Sequence, residues 1–415
     1  MKKVSQIVSV AFVFILVLSS IWVRSVCAWE CPHQDWEAKL TADDPVDNAD
    51  FGRSVAIAGN LVAVGAGSAD ADEVAEAGAV YLFKRRGLTY VPEAKLIAPD
   101  ATPGAEFGRA VAIQGNRVIV GARFAQVGNL SSAGAAYVFR KFKRTWHLEA
   151  KIASPTPENE DNFGRAVAIH GDLLVVTARK ENLNASDVGA AYVFRHRGNS
   201  WVYEAKLAAS DPTADAYFGQ SVDVRGDLIA VGARNADPNG AGAVYLFRAS
   251  EDQWLEVDKL TPPDGQKDDQ FAFTVAIHGN LIAVGARRAN LLGAIDAGAV
   301  YLFAMRRNGV NLVTKLTASD ALAGDQFGQS IALTGDFIAV GANRVDIGSN
   351  VDQGAVYLFR RMGNEWVEEE KLTASDGMGD DEFGYSLSAF GNIMSTGVHL
   401  ANSTEGAVYV MPLEP

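Results

Sequence analysis

The amino-acid sequence predicts an all-β protein, a seven-bladed β-propeller made of four-stranded antiparallel blades. The prediction depends on a sevenfold repeat and on the phase in which that repeat starts and stops. Each copy carries a Phe-Gly pair, replaced by Phe-Ala in the fifth copy, and successive phenylalanines lie 53 to 56 residues apart. They are Phe51, Phe107, Phe163, Phe218, Phe271, Phe327 and Phe383. A regular period of this length indicates a repeat architecture.

One copy of the repeat contains four short strand patterns. Residues 51–57 alternate between apolar and small or polar side chains, which is typical of a strand with one buried face. A Gly-Asn turn separates them from the apolar run 61–66, so these two segments predict a β-hairpin. Residues 78–83 and 90–96 supply the third and fourth strands. The second and third strands are apolar on both faces, as expected for blades that stack face to face.

The phase of the repeat predicts a closed ring. Residues 36–40 match the fourth strand of the repeat, whereas the last segment, residues 406–411, matches the third strand. We therefore expect residues 36–40 to complete the blade formed by residues 383–411. An open solenoid is the alternative, but it requires polar capping repeats at its ends, and the sequence contains none.

The N-terminal residues predict a secretory signal peptide over residues 1–28. Two lysines precede an apolar stretch at residues 8–22, and residues 26–28 fit a small-residue cleavage site. An uncleaved membrane anchor and a lipid attached to Cys27 are the alternatives. We expect the mature propeller to comprise residues 29–415, to have no transmembrane segment, and to be secreted, periplasmic or held at the cell surface.

Composition and motifs narrow the function classes. Hydrophobic residues make up 48% of the chain and charged residues 21%, which is typical of a globular protein. The net charge of −13 and the lack of a recognised binding motif argue against a nucleic-acid partner. Neither a His-Glu-x-x-His helix nor a Gly-x-Ser-x-Gly elbow is present, so we expect a non-catalytic protein. An extracellular, for example polysaccharide-directed, enzyme with a site assembled from loops of several blades is the alternative.

The repeat resembles the FG-GAP repeat of the integrin α-chain propeller and of exported bacterial proteins built from such repeats. The recurring strings Phe-Gly-x-Ser-Val, Val-Gly-Ala and Gly-Ala-Val-Tyr-Leu-Phe carry the resemblance, which covers residues 36–411. It implies a seven-bladed propeller used for recognition, often in cell adhesion. Two features depart from the integrin pattern. The tight turns leave no space for the integrin calcium loops, so we expect no metal there, and the proline of Gly-Ala-Pro is absent.

The residue that follows the Gly-Ala end of each second strand supplies the main candidate site. Its occupants are Gly67, Arg123, Arg179, Arg234, Arg287, Asn343 and His399. Because strands alternate in direction, the second-to-third and fourth-to-first loops share one side of the disc, which we call the long-loop face. The four arginines should form an arc there and, with His399, are the predicted ligand-binding residues for a carboxylate, sulfate or phosphate. Pairing of the arginines with loop aspartates such as Asp211 and Asp320 is the alternative.

The fourth-to-first loops are rich in acidic residues. Asp376, Asp380 and Asp381 are the best candidates for a calcium site, because calcium prefers several carboxylate and carbonyl oxygens. Asp and Asn side chains also form turns and cap loops, and this structural role is the alternative. Calcium is the one cofactor that the sequence suggests, and otherwise none is expected.

Two basic patterns remain. Arg53, Arg109 and Arg165 directly follow Phe-Gly in three consecutive copies, and we expect them to line the mouth of the central channel or to bind carboxylates locally. Basic third-to-fourth loops, such as residues 84–86 and 140–144, should make the opposite face of the disc positively charged. That face could contact an anionic surface. Solvated hairpin ends are the simpler explanation.

Taken together, these features predict an exported, non-catalytic recognition or adhesion module. It should bind a protein or glycan partner through the long-loop face. A purely structural scaffold is the remaining alternative.

Overall fold

A computed structural model describes residues 37–44, 48–236, 239–251, 253–307, 309–401 and 405–413. Within these residues the chain forms 28 β-strands in seven four-stranded antiparallel sheets. The predicted seven-bladed β-propeller is therefore confirmed. The signal peptide expected at residues 1–28 lies outside the described residues. None of the described residues belongs to a helix that is long and apolar enough to cross a bilayer.

The blades are numbered along the chain, from blade 1 at Phe51 to blade 7 at Phe383, and the strands of each blade are named from the channel outward. The innermost strands are β2 (Phe51–Ala58), β6 (Phe107–Gln114), β10 (Phe163–His170), β14 (Phe218–Arg225), β18 (Phe271–His278), β22 (Ser330–Thr334) and β26 (Ser386–Phe390). The second strands are β3 (Leu61–Ala66), β7 (Arg117–Ala122), β11 (Leu173–Ala178), β15 (Leu228–Ala233), β19 (Leu281–Ala286), β23 (Phe337–Ala342) and β27 (Ile393–Val398).

The third and outermost strands complete each sheet. The third strands are β4 (Ala79–Arg86), β8 (Ala135–Phe142), β12 (Ala190–Arg197), β16 (Ala243–Ser250), β20 (Ala299–Arg306), β24 (Ala355–Met362) and β28 (Ala407–Pro412). The outermost strands are β5 (Thr89–Leu96), β9 (Thr145–Ile152), β13 (Ser200–Leu207), β17 (Gln253–Leu260), β21 (Gly309–Leu316), β25 (Glu365–Leu372) and β1 (Ala38–Leu40).

The ring closes as the repeat phase predicts. Strand β1 pairs antiparallel with β28, with Lys39 opposite Tyr409, and so becomes the outer strand of blade 7. The innermost strands of blades 7 and 1 are also joined, because the Ser386 hydroxyl donates to the Gly52 carbonyl at 2.8 Å. Closure in this way pairs the outer edge of β28, which would otherwise expose its backbone hydrogen-bonding groups.

The blades share an aromatic core, in which Met411 replaces the second phenylalanine in blade 7. Phe51 is fully buried, and its ring meets the rings of Tyr81 and Phe83 edge to face, at centroid distances of 5.4 and 6.2 Å. The phenylalanine that marks each repeat makes the corresponding contact with the third-strand tyrosine in every blade. This geometry suits aromatic rings, whose edges and faces carry opposite partial charges. The repeat signature therefore encodes the packing of one blade.

The glycine before each third strand sets the spacing between blades. Gly78 has a φ of +89°, and a Cβ built on it would lie 2.0 Å from the carbonyl oxygen of Phe107 in the next blade. Only glycine fits such a backbone approach in the left-handed region. The equivalent residues are Gly134, Gly189, Gly242, Gly298, Gly354 and Gly406, all with positive φ.

Candidate functional site

The long-loop face is a platform held together by backbone hydrogen bonds between neighbouring blades. The second-to-third loop of one blade accepts hydrogen bonds from the fourth-to-first loop that enters the next. In one such seam Asp268 N donates to Gly240 O at 3.2 Å, and Phe271 N donates to Ala241 O at 2.8 Å. Side chains on these loops therefore project from fixed positions.

The acidic loops are held by a brace of three side chains. In blade 7 the Tyr409 hydroxyl and Lys39 Nζ donate to the two oxygens of Asp376, at 2.5 and 2.7 Å. The Lys39 hydrogen bond, followed by that of Tyr409, lowers the pKa of Asp376 below its usual range. The same Tyr–Asp–Lys brace occurs in six blades. Its aspartates are Asp44, Asp100, Asp211, Asp264, Asp320 and Asp376.

Blade 3 builds the brace from a different loop. Thr156 occupies the position of the aspartate, and Glu181 from the second-to-third loop takes over its contacts. Glu181 accepts from the Tyr192 hydroxyl at 2.6 Å and pairs with Lys206. The replacement indicates that the carboxylate has a structural role in the loop. Blade 3 keeps a carboxylate in the brace, although it comes from a different position in the sequence.

The calcium hypothesis for blade 7 is not supported by the geometry. Asp376 belongs to the brace, and Asp381 accepts a hydrogen bond from the backbone N–H of Met378 at 2.7 Å. Asp380 adopts a left-handed turn conformation with a φ of +65°. In the described part of the chain no three His, Cys, Asp or Glu side chains are grouped so that they could hold a metal ion. These carboxylates instead form and cap the loop.

The alternative that the arc arginines pair with Asp211 and Asp320 is wrong, because both aspartates belong to braces with Lys259 and Lys371. The arginines extend instead toward the channel, where the residue just before each repeat phenylalanine lies. That residue has a left-handed φ in every blade. Its occupants are Asp50, Glu106, Asn162, Tyr217, Gln270, Gln326 and Glu382. It is a carboxylate only in blades 1, 2 and 7, so the arc meets neutral groups in blades 3 to 5.

Arg123 is neutralised by its partner. Its Nε and Nη2 donate to the two carboxylate oxygens of Glu106, at 2.7 and 2.8 Å. This bidentate arrangement is the strongest form of arginine–carboxylate pair. Arg123 therefore contributes little free charge to the face.

The other three arginines contact neutral groups. Arg179 donates to Gln220 Oε1 at 3.2 Å, and both Arg179 and Arg234 lie over the ring of Tyr217, at 5.3 and 4.8 Å. Arg287 lies 3.8 Å from the centre of the Phe273 ring. Burial, aided by neighbouring arginines, lowers the pKa of Arg179 and Arg287 to about 10, which leaves both charged at neutral pH. An arc of positive charge therefore spans blades 3 to 5.

His399 occupies the arc position of blade 7 but differs in character. It is buried, its ring centre lies 3.9 Å from that of Tyr385, and its Nδ1 lies 3.8 Å from a Glu382 oxygen. Burial, followed by repulsion from Arg53 and Arg109, lowers its pKa to about 3. His399 is therefore neutral and does not extend the charged arc.

The second arginine run lines the mouth of the central channel. Arg53, Arg109 and Arg165 surround a pocket of about 230 Å³ together with Gln220 and Tyr385. Beneath it the innermost strands enclose a channel of about 830 Å³ that opens on the opposite face. The sequence left open whether this run lines the channel mouth or binds carboxylates locally, and Arg53 does both, since it also donates to Asp50 at 3.0 Å.

An exposed apolar rim was missed by the sequence analysis. Leu292 and Ile295 in blade 5 have relative exposures of 109% and 71%. Across the seams Leu322, Val351 and Met378 are exposed as well, on the long loops of blades 5 to 7. The same loop of blade 1 has Asp72 and Glu73 at its tip. Comparison of the loops between repeats would have revealed Leu292 in the place of Asp72 and Ile295 in the place of Ala75.

The opposite face is basic, but many of its charges are paired. Arg195 contacts Glu204 at 2.6 Å, Arg248 contacts Asp227 at 3.0 Å, and Lys141 pairs with Glu93. The third-to-fourth hairpins therefore carry less free charge than their composition suggests.

The fold and its repeated seams define a seven-bladed β-propeller, a scaffold that is commonly used as a protein-interaction module. The chain matches the FG-GAP repeat model over residues 35–83, 90–139, 146–194, 201–247, 254–303, 310–359 and 366–411. It therefore belongs to the FG-GAP repeat family, whose members are generally non-catalytic.

Solved structures share the fold at low sequence identity. A chain in the crystal structure of the mitotic checkpoint complex is 13% identical with a TM-score of 0.55, over 90% of this chain and 93% of that one. Sqt1 from Saccharomyces cerevisiae is 10% identical with a TM-score of 0.49, over 91% and 85%. No curated protein sequence matches significantly. The likeness to the checkpoint-complex chain concerns the propeller architecture alone.

Proposed function

We propose that this FG-GAP propeller is an exported, non-catalytic recognition module that binds an acidic protein partner through its long-loop face. The observation that carries the proposal is the arc of Arg179, Arg234 and Arg287, whose described contacts are with amide and aromatic groups. Guanidinium groups held in fixed positions favour carboxylate ligands, which they bind in bidentate geometry.

The apolar rim favours a protein over a glycan. Leu292, Ile295 and Leu322 are aliphatic, and they are exposed on the same face as the charged arc, on the long loops of blades 5 and 6. Exposed apolar patches bordered by charged residues are typical of protein-binding surfaces. A partner that combines acidic and apolar side chains would complement both features.

Export rests on separate observations. The basic and apolar pattern of residues 1–28 is that of a secretory signal peptide, and the repeat resembles that of exported adhesion proteins. We accordingly place the protein outside the cell, in the periplasm or at the cell surface, with adhesion as the cellular role.

The test compares binding to arrays of acidic peptides, with and without leucine or phenylalanine, and to anionic polysaccharides. The variant Arg179→Gln/Arg234→Gln/Arg287→Gln should lose at least about tenfold in affinity for acidic peptides, which corresponds to about 1.4 kcal/mol. The matched control is Arg248→Gln/Arg306→Gln/Arg360→Gln, which removes the same charge from the opposite face. Equal losses in both variants would contradict the proposal.

A second pair of variants tests whether the partner is a protein. Leu292→Ser/Ile295→Ser should weaken binding of peptides that contain apolar residues, whereas Leu88→Ser, an exposed leucine in a hairpin of the opposite face, should not. If polysaccharides bind tightly and peptides do not, the partner is a glycan and the proposal of a protein partner is overturned.

A further inference from the structure

We propose that the mouth of the central channel is a pocket for a single oxyanion, a carboxylate, sulfate or phosphate group, held chiefly by Arg109 and Arg165. This inference rests on the proposed function, since it names the chemical group that a bound partner would insert deepest into the long-loop face. It goes beyond the arc, because these arginines lie on the innermost strands and not on the loops.

The pocket has a suitable place and size. Arg109 and Arg165 lie on the neighbouring innermost strands β6 and β10, and Arg53 lies on β2. The pocket that they line measures about 230 Å³ and opens toward solvent on the long-loop face. A water molecule occupies roughly 30 Å³ of liquid volume, so an oxyanion group with part of its hydration shell fits.

Positive charge in the pocket exceeds the local negative charge, because Arg53 is paired with Asp50 at 3.0 Å but Arg109 and Arg165 are less well compensated. Glu106 is engaged by Arg123, so Arg109 Nε lies farther from it, at 3.6 Å. Arg165 has no carboxylate at the corresponding place, because Asn162 replaces Glu106 there. Its Nε is buried and has no hydrogen-bond partner among the described residues.

The electrostatic surroundings of Arg165 are made of other cations. Burial, followed by repulsion from Arg109 and Arg179, lowers its pKa well below the usual value for arginine. Buried charges in proteins are normally paired or hydrogen-bonded, since leaving them uncompensated costs free energy. A bound oxyanion would supply the missing negative charge and accept the unused N–H groups.

The ring of blades does not require these arginines. At the same position blades 4, 5 and 6 have Gln220, Phe273 and Gln329, and their innermost strands pack into the same ring. The charge is therefore confined to the mouth beside blades 1 to 3. This one-sided placement favours a ligand-binding role over a structural one.

The experiment measures thermal stabilisation by sodium sulfate, phosphate and acetate, each at constant ionic strength set with sodium chloride. At saturating anion the Tm of the wild-type protein should rise by about 2 °C, because ligands that bind only the folded state stabilise it. The rise should vanish in Arg165→Gln and Arg109→Gln. It should persist in Arg225→Gln, which removes an exposed arginine from the other end of the channel. A sulfate response without an acetate response would assign the pocket to sulfated or phosphorylated groups, and the reverse to carboxylates.

A second measurement does not depend on variant folding. Phenylglyoxal modification, followed by peptide mass spectrometry, should show that the bound anion protects Arg165 and Arg109 but not Arg225. Equal protection of all three, or a Tm rise that survives in Arg165→Gln, would overturn the pocket. If the pocket binds anions but the arc variant keeps its partner, the proposed function fails and the pocket stands. If the arc variant loses its partner while Arg165→Gln changes neither the Tm rise with anions nor the binding of the partner, the pocket alone fails.

Discussion

Lys39 donates a hydrogen bond of 2.7 Å to Asp376, a residue 337 positions later in the sequence, and the Tyr409 hydroxyl donates to the other oxygen of the same carboxylate. Six blades contain this brace, but only in blade 7 does it join the first described strand to the last. The brace that holds a single loop in blades 1, 2, 4, 5 and 6 therefore also holds the ring closed in blade 7.

Loss of this brace should loosen ring closure specifically. Asp376→Ala removes the partner of a buried hydroxyl and a partly exposed ion pair, so we expect about 1–2 kcal/mol of lost stability in urea unfolding. Asp320→Ala removes the same brace inside the continuous blade 6 and should cost a similar amount. Hydrogen exchange at the Lys39 and Leu40 amides should accelerate only in Asp376→Ala. Equal exchange in both variants would contradict the closure role.

The glycine that precedes each third strand should resist substitution, because the backbone of the next blade lies close to it. Gly78→Ala would place a Cβ 2.0 Å from Phe107 O at a φ of +89°, and we expect a loss of at least about 3 kcal/mol. Gly87→Ala is the matched control, since Gly87 also has a positive φ of +66° but nothing lies within 4 Å of its Cβ position. That variant should lose only about 1 kcal/mol. Similar urea midpoints for the two variants would show that the positive φ alone, and not the close approach of the next blade, explains the glycine.

A carboxylate on the channel wall predicts a pH dependence. Burial raises the pKa of Asp223 to about 6, although the backbone N–H groups of Ile277 and Val224 donate to its oxygens at 2.7 and 2.8 Å. Because the folded-state pKa is higher than the unfolded one, the folded protein binds more protons between about pH 4 and pH 6. The destabilising effect of Asp223 is therefore absent below pH 4 and complete above pH 6.

The variant Asp223→Ser tests this effect. Ser388 occupies the equivalent position in blade 7, where its hydroxyl accepts the Ile57 N–H at 3.1 Å, so serine preserves an acceptor. Relative to wild type, the variant should gain about 2–3 kcal/mol between pH 4 and pH 7, following the size of the pKa shift. The measurement is the free energy of unfolding at both pH values. A stability difference that does not change with pH would rule out the raised pKa.

The pairing of Arg123 predicts a gain-of-binding variant. Glu106→Gln should release the guanidinium of Arg123, extend the arc into blade 2, and raise the affinity for acidic peptides by about three- to tenfold. Glu149→Gln is the control, because it releases Arg117 near the opposite face with the same change in net charge. Biolayer interferometry at two salt concentrations measures the affinity of both variants for acidic peptides. An equal gain in both variants would show that net charge, and not the arc, determines binding.

Much of the fold could be predicted because the repeat encodes it directly. The period marks one blade, the alternation of residues 51–57 marks its innermost strand, and the phase of residues 36–40 marks the closure. Each of these depends on contacts within one repeat or between adjacent repeats. Seven copies of the same contacts reinforce one another, so the topology follows from the pattern.

The candidate site was harder to predict because it depends on differences between repeats. The sequence placed Arg179 and Arg287 on the long-loop face, and it offered pairing with loop aspartates such as Asp211 and Asp320 as the alternative to ligand binding. The true neighbour is the residue before each phenylalanine, which a left-handed φ turns toward the channel. The burial that makes His399 neutral follows from packing on Tyr385, which spacing alone does not show.

The most direct test of the account is hydrogen–deuterium exchange of the propeller with and without a bound acidic peptide selected from the array. We predict protection in the second-to-third loops of blades 3, 4 and 5, which carry Arg179, Arg234 and Arg287, and in the innermost strands at Arg109 and Arg165. Protection confined to the third-to-fourth hairpins, such as residues 84–89, would place the partner on the opposite face and contradict the account.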